Sequence, residues 1–164
     1  MATQPSLPNM TTNVKFAARN TTNYNMETSV AIAQLFVTAA QLKTLKATPL
    51  IVVPAPIIVG EAINVDSINL SYNFGTTAFA GSGTLKVFYG PVANAHALCA
   101  DQSTSFLTAT ASRKVIGIPP LGVSVDTNAN STNQPIFIAN DGAAEFTTGD
   151  GTLTVTILYA VTTP

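Results

Sequence analysis

The sequence predicts an all-β domain, a β-sandwich with jelly-roll-like topology, an extended N-terminal arm and one short helix. Short runs in which apolar and polar residues alternate recur along the chain, as in strands with one buried face. Ten glycines and ten prolines interrupt the chain, and many of them separate these runs. Only one segment has helical spacing. The 164 residues suffice for one domain with a core, divided into an arm at 1–26 and a sandwich at 27–164.

The N-terminal third contains the arm, the first strands and the helix. Residues 1–13 hold two prolines and show no periodicity, which predicts an extended arm. A short strand is predicted at 14–17 and a longer one at 28–37. A helix of about two turns is predicted to follow, with Thr38 as its N-cap and with Leu42 and Leu45 on one face.

The middle of the chain predicts a series of strands. Residues 50–53 (LIVV) are apolar on both faces, which predicts a strand buried on both sides. In residues 63–74 the apolar alternation changes frame, which predicts a β-bulge near Asp66 and Ser67. Gly81 and Gly83 indicate a hairpin turn, and residues 92–105 a loop. Further strands are predicted at 85–89, 106–111, 115–118, 123–125 and 136–139.

The last strand has the clearest pattern of the chain. Its apolar residues alternate with threonines and alanines from Thr152 onwards, after a turn at 149–151. The non-core face therefore carries uncharged side chains, which favours contact with another sheet or chain. A plain threonine-rich surface on a monomer is the alternative. Residues 128–134 (NANSTNQ) are predicted to form a long polar loop.

The composition argues against several classes of partner. Charged residues make up 9% of the chain, against about 25% in ordinary domains. Seven scattered basic residues do not form a phosphate-binding face, so we expect no nucleic-acid partner. No apolar run reaches the roughly 20 residues that span a bilayer, and no signal peptide is expected. A single cysteine, Cys99, permits no intrachain disulfide and fits synthesis in a reducing cytoplasm.

Few residues carry a pattern typical of catalysis. His96 and Cys99 form an H-x-x-C pair with Asp101 nearby, but triad members normally converge from separate elements. Ser82 and Ser124 do not complete a G-x-S-x-G turn. We therefore expect no enzyme activity, no catalytic residues and no cofactor.

One acidic cluster and the tyrosines have alternative interpretations. Asp141, Glu145 and Asp150 offer carboxylates for a calcium ion, although their spacing is not that of an EF-hand. Two turns bracketing a short strand account for the same residues without a metal, and we expect that interpretation. The four tyrosines are Tyr24, Tyr72, Tyr89 and Tyr159. They suit core packing better than a sugar-binding platform, since the last three lie in alternating strand frames.

Several stretches resemble small virion structural proteins of tailed bacteriophages. They are residues 38–49 (TAAQLKTLKATP), 50–56 (LIVVPAP), 70–75 (LSYNFG), 85–90 (LKVFYG) and 146–159 (FTTGDGTLTVTILY). The resemblance covers roughly residues 28–90 and 134–160. It implies a non-enzymatic β-sandwich in a phage particle, of the capsid cement or decoration type.

The resemblance also implies partners and a location. A protein of this kind binds the major capsid protein on the outside of the head, bridges capsomers, and typically forms a homotrimer. It would be made in the host cytoplasm and located at the capsid surface. The arm at 1–26 is expected to lie on the capsid or an adjacent subunit. Two alternatives remain: a tail, fibre or baseplate component that binds a host receptor, and a hydrolase or lyase domain.

Overall fold

The computed structural model describes residues 30–90, 96–99, 102, 104–118 and 132–162. The predicted arm at 1–26 lies outside the described residues, as do the predicted strands at 14–17 and 123–125. The same holds for Tyr24, Asp101, Ser124 and most of the polar loop predicted at 128–134. No helix in the described part of the chain has the length and apolar character needed to cross a membrane.

The described residues form ten strands, one α-helix and one 3-10 helix at Thr104–Phe106. In chain order, the elements are β1 (Val30–Val37), α1 (Ala39–Leu42), β2 (Leu50–Val53), β3 (Ala62–Asn73), β4 (Phe79–Ala80), β5 (Leu85–Tyr89), β6 (His96–Ala97), β7 (Arg113–Ile118), β8 (Ile136–Asn140), β9 (Thr147–Thr148) and β10 (Thr152–Thr162).

The strands form two antiparallel four-stranded sheets and a small ribbon. The first sheet has the order β1-β10-β3-β7, the second sheet has the order β2-β8-β5-β6, and β4 pairs with β9. If the eight strands of the two large sheets are renumbered along the chain, the orders are 1-8-3-6 and 2-7-4-5. This is the strand order of a jelly roll, two Greek keys folded into a sandwich. The predicted all-β sandwich of jelly-roll type is confirmed.

The bulge in β3 is found at the predicted position. Leu158 of β10 pairs with Ser67, but the next residue, Tyr159, pairs with Val65, so Asp66 is the extra residue. Because side chains alternate in direction, the extra residue returns both Val65 and Ile68 to the buried face. The change of frame in the sequence thus corresponds to one continuous strand with one buried face.

The core lies between the two large sheets. Leu153, Val155 and Ile157 of β10 pack there with inward residues of the second sheet such as Val87 and Ile138. The tyrosines contribute as expected, since Tyr72 and Tyr89 are buried and Tyr159 packs against the cluster. The Tyr89 hydroxyl donates to the Ile63 carbonyl of the opposite sheet, and burial raises the pKa of Tyr89 to about 12. The sheets are thereby joined by a hydrogen bond as well as by apolar contacts.

The helix begins at the predicted N-cap but is shorter than predicted. Thr38 and Gln41 form a reciprocal capping box, and both Leu42 and Leu45 are fully buried. The α-helical pattern ends at Leu42 because the N–H group of Thr44 donates at 3.1 Å to the Gln41 carbonyl, three residues back. Further on, the backbone N–H groups of Lys46 and Ala47 donate to the Glu145 carboxylate, at 2.9 and 2.7 Å. Those N–H groups are therefore directed away from the carbonyls that a second helical turn would offer.

Three other predictions about local structure are wrong. Strand β2 is not buried on both sides, since it lies at the edge of the second sheet and Ile51 is 58% exposed. Residues 106–111 form the end of the 3-10 helix and a series of turns, not a strand. The turn at Gly81 and Gly83 is not a hairpin, because β4 pairs with β9 whereas β5 pairs with β8. In each case the local pattern was compatible with a strand or turn, but the pairing partner decided the outcome.

The two ends of the sandwich differ in charge. One end, the charged end, carries the connections 38–49, 74–84 and 141–151 and the start of β7. The other carries the connection 54–61, the first residue of β1 and the last residues of β10, and we call it the uncharged end because Glu61 is the one charged side chain among its described residues. Of the ten charged side chains in the described residues, Glu61 and Asp66 lie elsewhere, and eight lie at the charged end: Lys43, Lys46, Lys86, Arg113, Lys114, Asp141, Glu145 and Asp150.

Candidate interaction surfaces

The solvent side of the first sheet presents three rows of uncharged side chains. The strand registers align them as Ile32–Leu158–Ser67, Gln34–Thr156–Asn69 and Phe36–Thr154–Ser71. We call these nine residues the outer face. Two of them are large apolar side chains with high exposure, since Ile32 is 41% and Phe36 57% exposed. The threonines of β10 point outward, as the sequence predicted.

The outer face combines three properties of a protein-binding surface. None of its nine side chains needs to lose the hydration of a charge on contact, and threonine and serine lose little rotamer entropy. Its two exposed apolar side chains gain free energy when they are covered. Lys114 of β7 pairs with Ser71 of β3, and it is the nearest cation along the row that contains Phe36, Thr154 and Ser71.

Strand β1 forms one edge of the outer face. Among the described strands it pairs only with β10, and none of its eight residues is charged or a proline. Edge strands in soluble proteins usually carry such residues, because an unprotected edge pairs with other chains. The chain enters β1 at Val30, directly after the 29 residues that include the predicted arm. An unprotected strand edge and an uncharged face therefore adjoin Val30, the first described residue.

A second apolar surface lies at the uncharged end. In the connection between β2 and β3, Ile57 is 97%, Ile58 60% and Val59 92% exposed. We call these three residues the apolar tip. The Glu61 N–H donates to the Ile58 carbonyl at 3.2 Å, and Gly60 has a φ of +94°, which together fit a tight turn with Val59 at its corner.

Asn133 holds the apolar tip in place. Its Nδ2 donates to the carbonyls of Pro56 and Ile58, at 3.2 and 2.6 Å, and its Oδ1 accepts from the Gly60 N–H at 2.8 Å. Its own backbone N–H donates to the Glu61 carbonyl at 2.7 Å. Asn133 has a φ of +54°, a left-handed conformation in which asparagine is enriched. The exposed tip is thus fixed by four hydrogen bonds from one distant residue.

The three carboxylates of the acidic cluster have separate structural partners. Asp141 pairs with Lys86 at 2.5 Å, and Glu145 accepts from the backbone near Lys46. Asp150 accepts from the N–H groups of Thr76 and Thr77. In the part of the chain that the structure describes, no group of three His, Cys, Asp or Glu side chains is arranged to hold a metal ion. The predicted short strand between two turns is β9.

The residues considered for catalysis occupy ordinary structural positions. Cys99 is fully buried, and burial raises the pKa of its thiol, which disfavours the reactive thiolate. His96 is half-buried in β6 and pairs with Tyr89. Ser82 is exposed in the connection from β4 to β5. Asp101 lies outside the described residues.

Asp150 makes the stability of the charged end depend on pH. The Thr76 hydroxyl at 2.6 Å, followed by the backbone N–H groups of Thr77 and Thr76, lowers the pKa of this carboxyl. A lowered folded-state pKa means that the contribution is full above the unfolded pKa of about 3.9 and is lost as the pH falls through the folded value. We expect Asp150→Asn to lower the urea midpoint at neutral pH and to have a progressively smaller effect in acid.

The measurement is urea unfolding of wild type and Asp150→Asn from neutral pH down to a pH below the folded-state pKa of Asp150. Asp66→Asn, at the exposed bulge of β3, is the control and should leave the midpoint unchanged at neutral pH. An effect of Asp150→Asn that persisted undiminished in strong acid would contradict this role.

The sequence predicted the uncharged outward side of β10 but not the apolar tip. The available signal was the triplet Ile57–Ile58–Val59 between Pro56 and Gly60, where no strand alternation accounts for three aliphatic residues. Asn133 gave no signal of its own, because its partners are more than 70 residues away along the chain.

Comparisons with known proteins give weak similarity to solved structures. No protein-family model and no curated protein matches the sequence. Among solved structures, the chain is similar to one described as "Cyanophage Pam1 capsid asymmetric unit", with a TM-score of 0.46 and 19% sequence identity. The alignment covers 98% of this chain and 100% of that chain.

Proposed function

We propose that this protein is a virion structural protein without enzyme activity, specifically a capsid cement or decoration protein. It binds the major capsid protein on the outside of a phage head and bridges capsomers, as a homo-oligomer for which a trimer is proposed. The observation that carries the proposal is the outer face, a nine-residue surface that includes no charged side chain and exposes Ile32 and Phe36. The sequence resemblance to phage virion proteins supports the same assignment.

The proposed mechanism is mechanical clamping. The outer face lies flat on the shell, and the arm, which enters the sandwich at Val30, extends from the edge of that face to a neighbouring subunit. Thirteen extended residues reach roughly 40 Å, enough to cross a subunit boundary. Each copy then stabilises the shell through buried area, with no cofactor and no chemical step.

Charged substitutions on the outer face test this function. Ile32→Glu combined with Phe36→Glu places two carboxylates in the proposed contact, and we expect at least a tenfold loss of affinity, about 1.4 kcal/mol. Both side chains point to solvent, so circular dichroism should show an intact sandwich. The measurement is co-sedimentation of purified wild type and double variant with phage particles. The particles come from the phage that encodes this protein and are prepared without it.

Ile51→Glu is the matched control, since Ile51 is as exposed as Phe36 but lies on the second sheet. Equal binding by wild type and the double variant would contradict the assignment of this face.

Quantitative mass spectrometry of native particles tests the role itself. A copy number comparable to that of the shell protein supports decoration, a few copies per particle indicate a tail or receptor-binding component, and absence from particles contradicts a virion role.

A further inference from the structure

The apolar tip has the properties of a contact surface, not of an ordinary loop. Ile57 and Val59 lie almost fully in water and Ile58 is more than half exposed, which is unfavourable unless another surface covers them. Asn133 and the turn at Gly60 hold them in one conformation, so little conformational entropy remains to be lost on binding. A preorganised apolar projection of this kind favours association.

The surroundings of the tip indicate what covers it. At the uncharged end, Glu61 is the one charged side chain among the described residues, and it is half-buried. A rotational symmetry axis brings the same residues of each copy together, so a charged surface would repel itself there whereas an apolar surface would not. Surfaces that insert into membranes usually add basic residues, and the described residues at this end include no lysine or arginine.

We propose that Ile57, Ile58 and Val59 form the contact by which copies of this chain associate, the tips of neighbouring copies meeting around a symmetry axis at the uncharged end. The inference rests on the proposed homo-oligomer and assigns its interface. The outer face is a separate surface and stays available for the shell. Self-association through the tip therefore arranges several outer faces around one axis.

Analytical ultracentrifugation of the purified full chain tests the interface without any particle. We expect wild type to sediment as an oligomer and the double variant Ile57→Ser, Val59→Ser to dissociate at least tenfold more readily, with an unchanged circular dichroism spectrum. Ile51→Ser is the control and should remain oligomeric. A wild type that is monomeric at all concentrations, or a double variant that associates as tightly as wild type, would overturn the proposal.

Two further variants test the geometry. Val59→Cys places a second thiol in a chain whose one native cysteine, Cys99, is buried, and diamide should join two copies through it. Asn73→Cys, exposed at the charged end, should not cross-link at the same protein concentration. Asn133→Gly keeps the left-handed backbone but removes three of the hydrogen bonds to the tip, and weaker association is expected. Cross-linking of Asn73→Cys as fast as Val59→Cys would place the contact elsewhere and overturn the proposal.

These outcomes separate the interface from the proposed function. A chain that associates through the tip but does not bind particles upholds the interface and contradicts decoration. A monomer that binds vesicles or particles through the tip contradicts the interface and assigns the tip to a different partner.

Discussion

Replacing Gly142 by alanine is expected to lower the free energy of unfolding by about 3 kcal/mol or more, because no space exists for one methyl group. A Cβ at this position would overlap the Ser82 carbonyl oxygen and would lie 2.6 Å from the Gly83 Cα and 2.8 Å from the Thr84 nitrogen. All three are backbone atoms, so the clash is not relieved by a change of rotamer. The connection 141–151 would have to move away from the connection between β4 and β5.

Urea unfolding of Gly142→Ala and of Gly117→Ala measures the effect. Gly117 has a φ of +66° but no atom within 4 Å of its Cβ position, so alanine there has only the left-handed backbone penalty of roughly 1–2 kcal/mol. The expected order is therefore a large loss for Gly142 and a small one for Gly117. Equal losses of unfolding free energy would show that the connection 141–151 separates easily from the connection between β4 and β5, which would contradict the prediction.

Replacing Asn140 by leucine is expected to have an effect of similar size, for a different reason. Asn140 is 4% exposed, and its Oδ1 accepts from the N–H groups of Thr84 and Gly142, at 3.0 and 2.9 Å. Its Nδ2 donates to the Ala144 carbonyl at 2.9 Å. Leucine has a similar volume but leaves these backbone groups without their partner, at about 1–3 kcal/mol for each buried group. We expect a total loss of about 3 kcal/mol or more in urea unfolding.

Asn140→Asp is the informative companion variant. Ionised aspartate keeps the oxygen that accepts from Thr84 and Gly142, but it has no donor for Ala144 and places a negative charge near Glu145. Its stability should therefore lie between those of wild type and Asn140→Leu at low pH, where the carboxyl is neutral, and should fall as the pH rises. A stability of Asn140→Leu equal to that of wild type would contradict the structural role of this side chain.

The fold was largely predictable because its main elements obey local rules. The alternation in β10, the frame change at Asp66 and the N-cap at Thr38 are each visible in a few consecutive residues, and each has the predicted position. The order of the strands was predicted only as a topology class. Pairing between β1 and β10 joins residues more than 100 positions apart, and the pattern of each strand is compatible with many partners.

The errors have a common physical cause, which is that distant partners override local preference. The helix was predicted too long, since the N–H groups that its second turn would use, those of Lys46 and Ala47, donate to Glu145, about 100 residues away. The burial of Ile51 was predicted wrongly because an apolar run does not show whether the strand lies at the centre or the edge of a sheet. The tip is held by Asn133, so its rigidity, unlike the apolar triplet itself, was beyond local reasoning.

The positions at which the chain enters and leaves the sandwich determine where foreign sequences are best attached. Val30 and Ala160 are paired neighbours at the uncharged end, so a peptide joined directly before Val30 or directly after Thr162 leaves the sandwich where the contact is proposed. The turn at Thr110 and Ala111 is exposed and immediately precedes β7, at the opposite end of the molecule. An antigen or affinity tag inserted in that turn would be displayed at the end of the sandwich opposite the apolar tip.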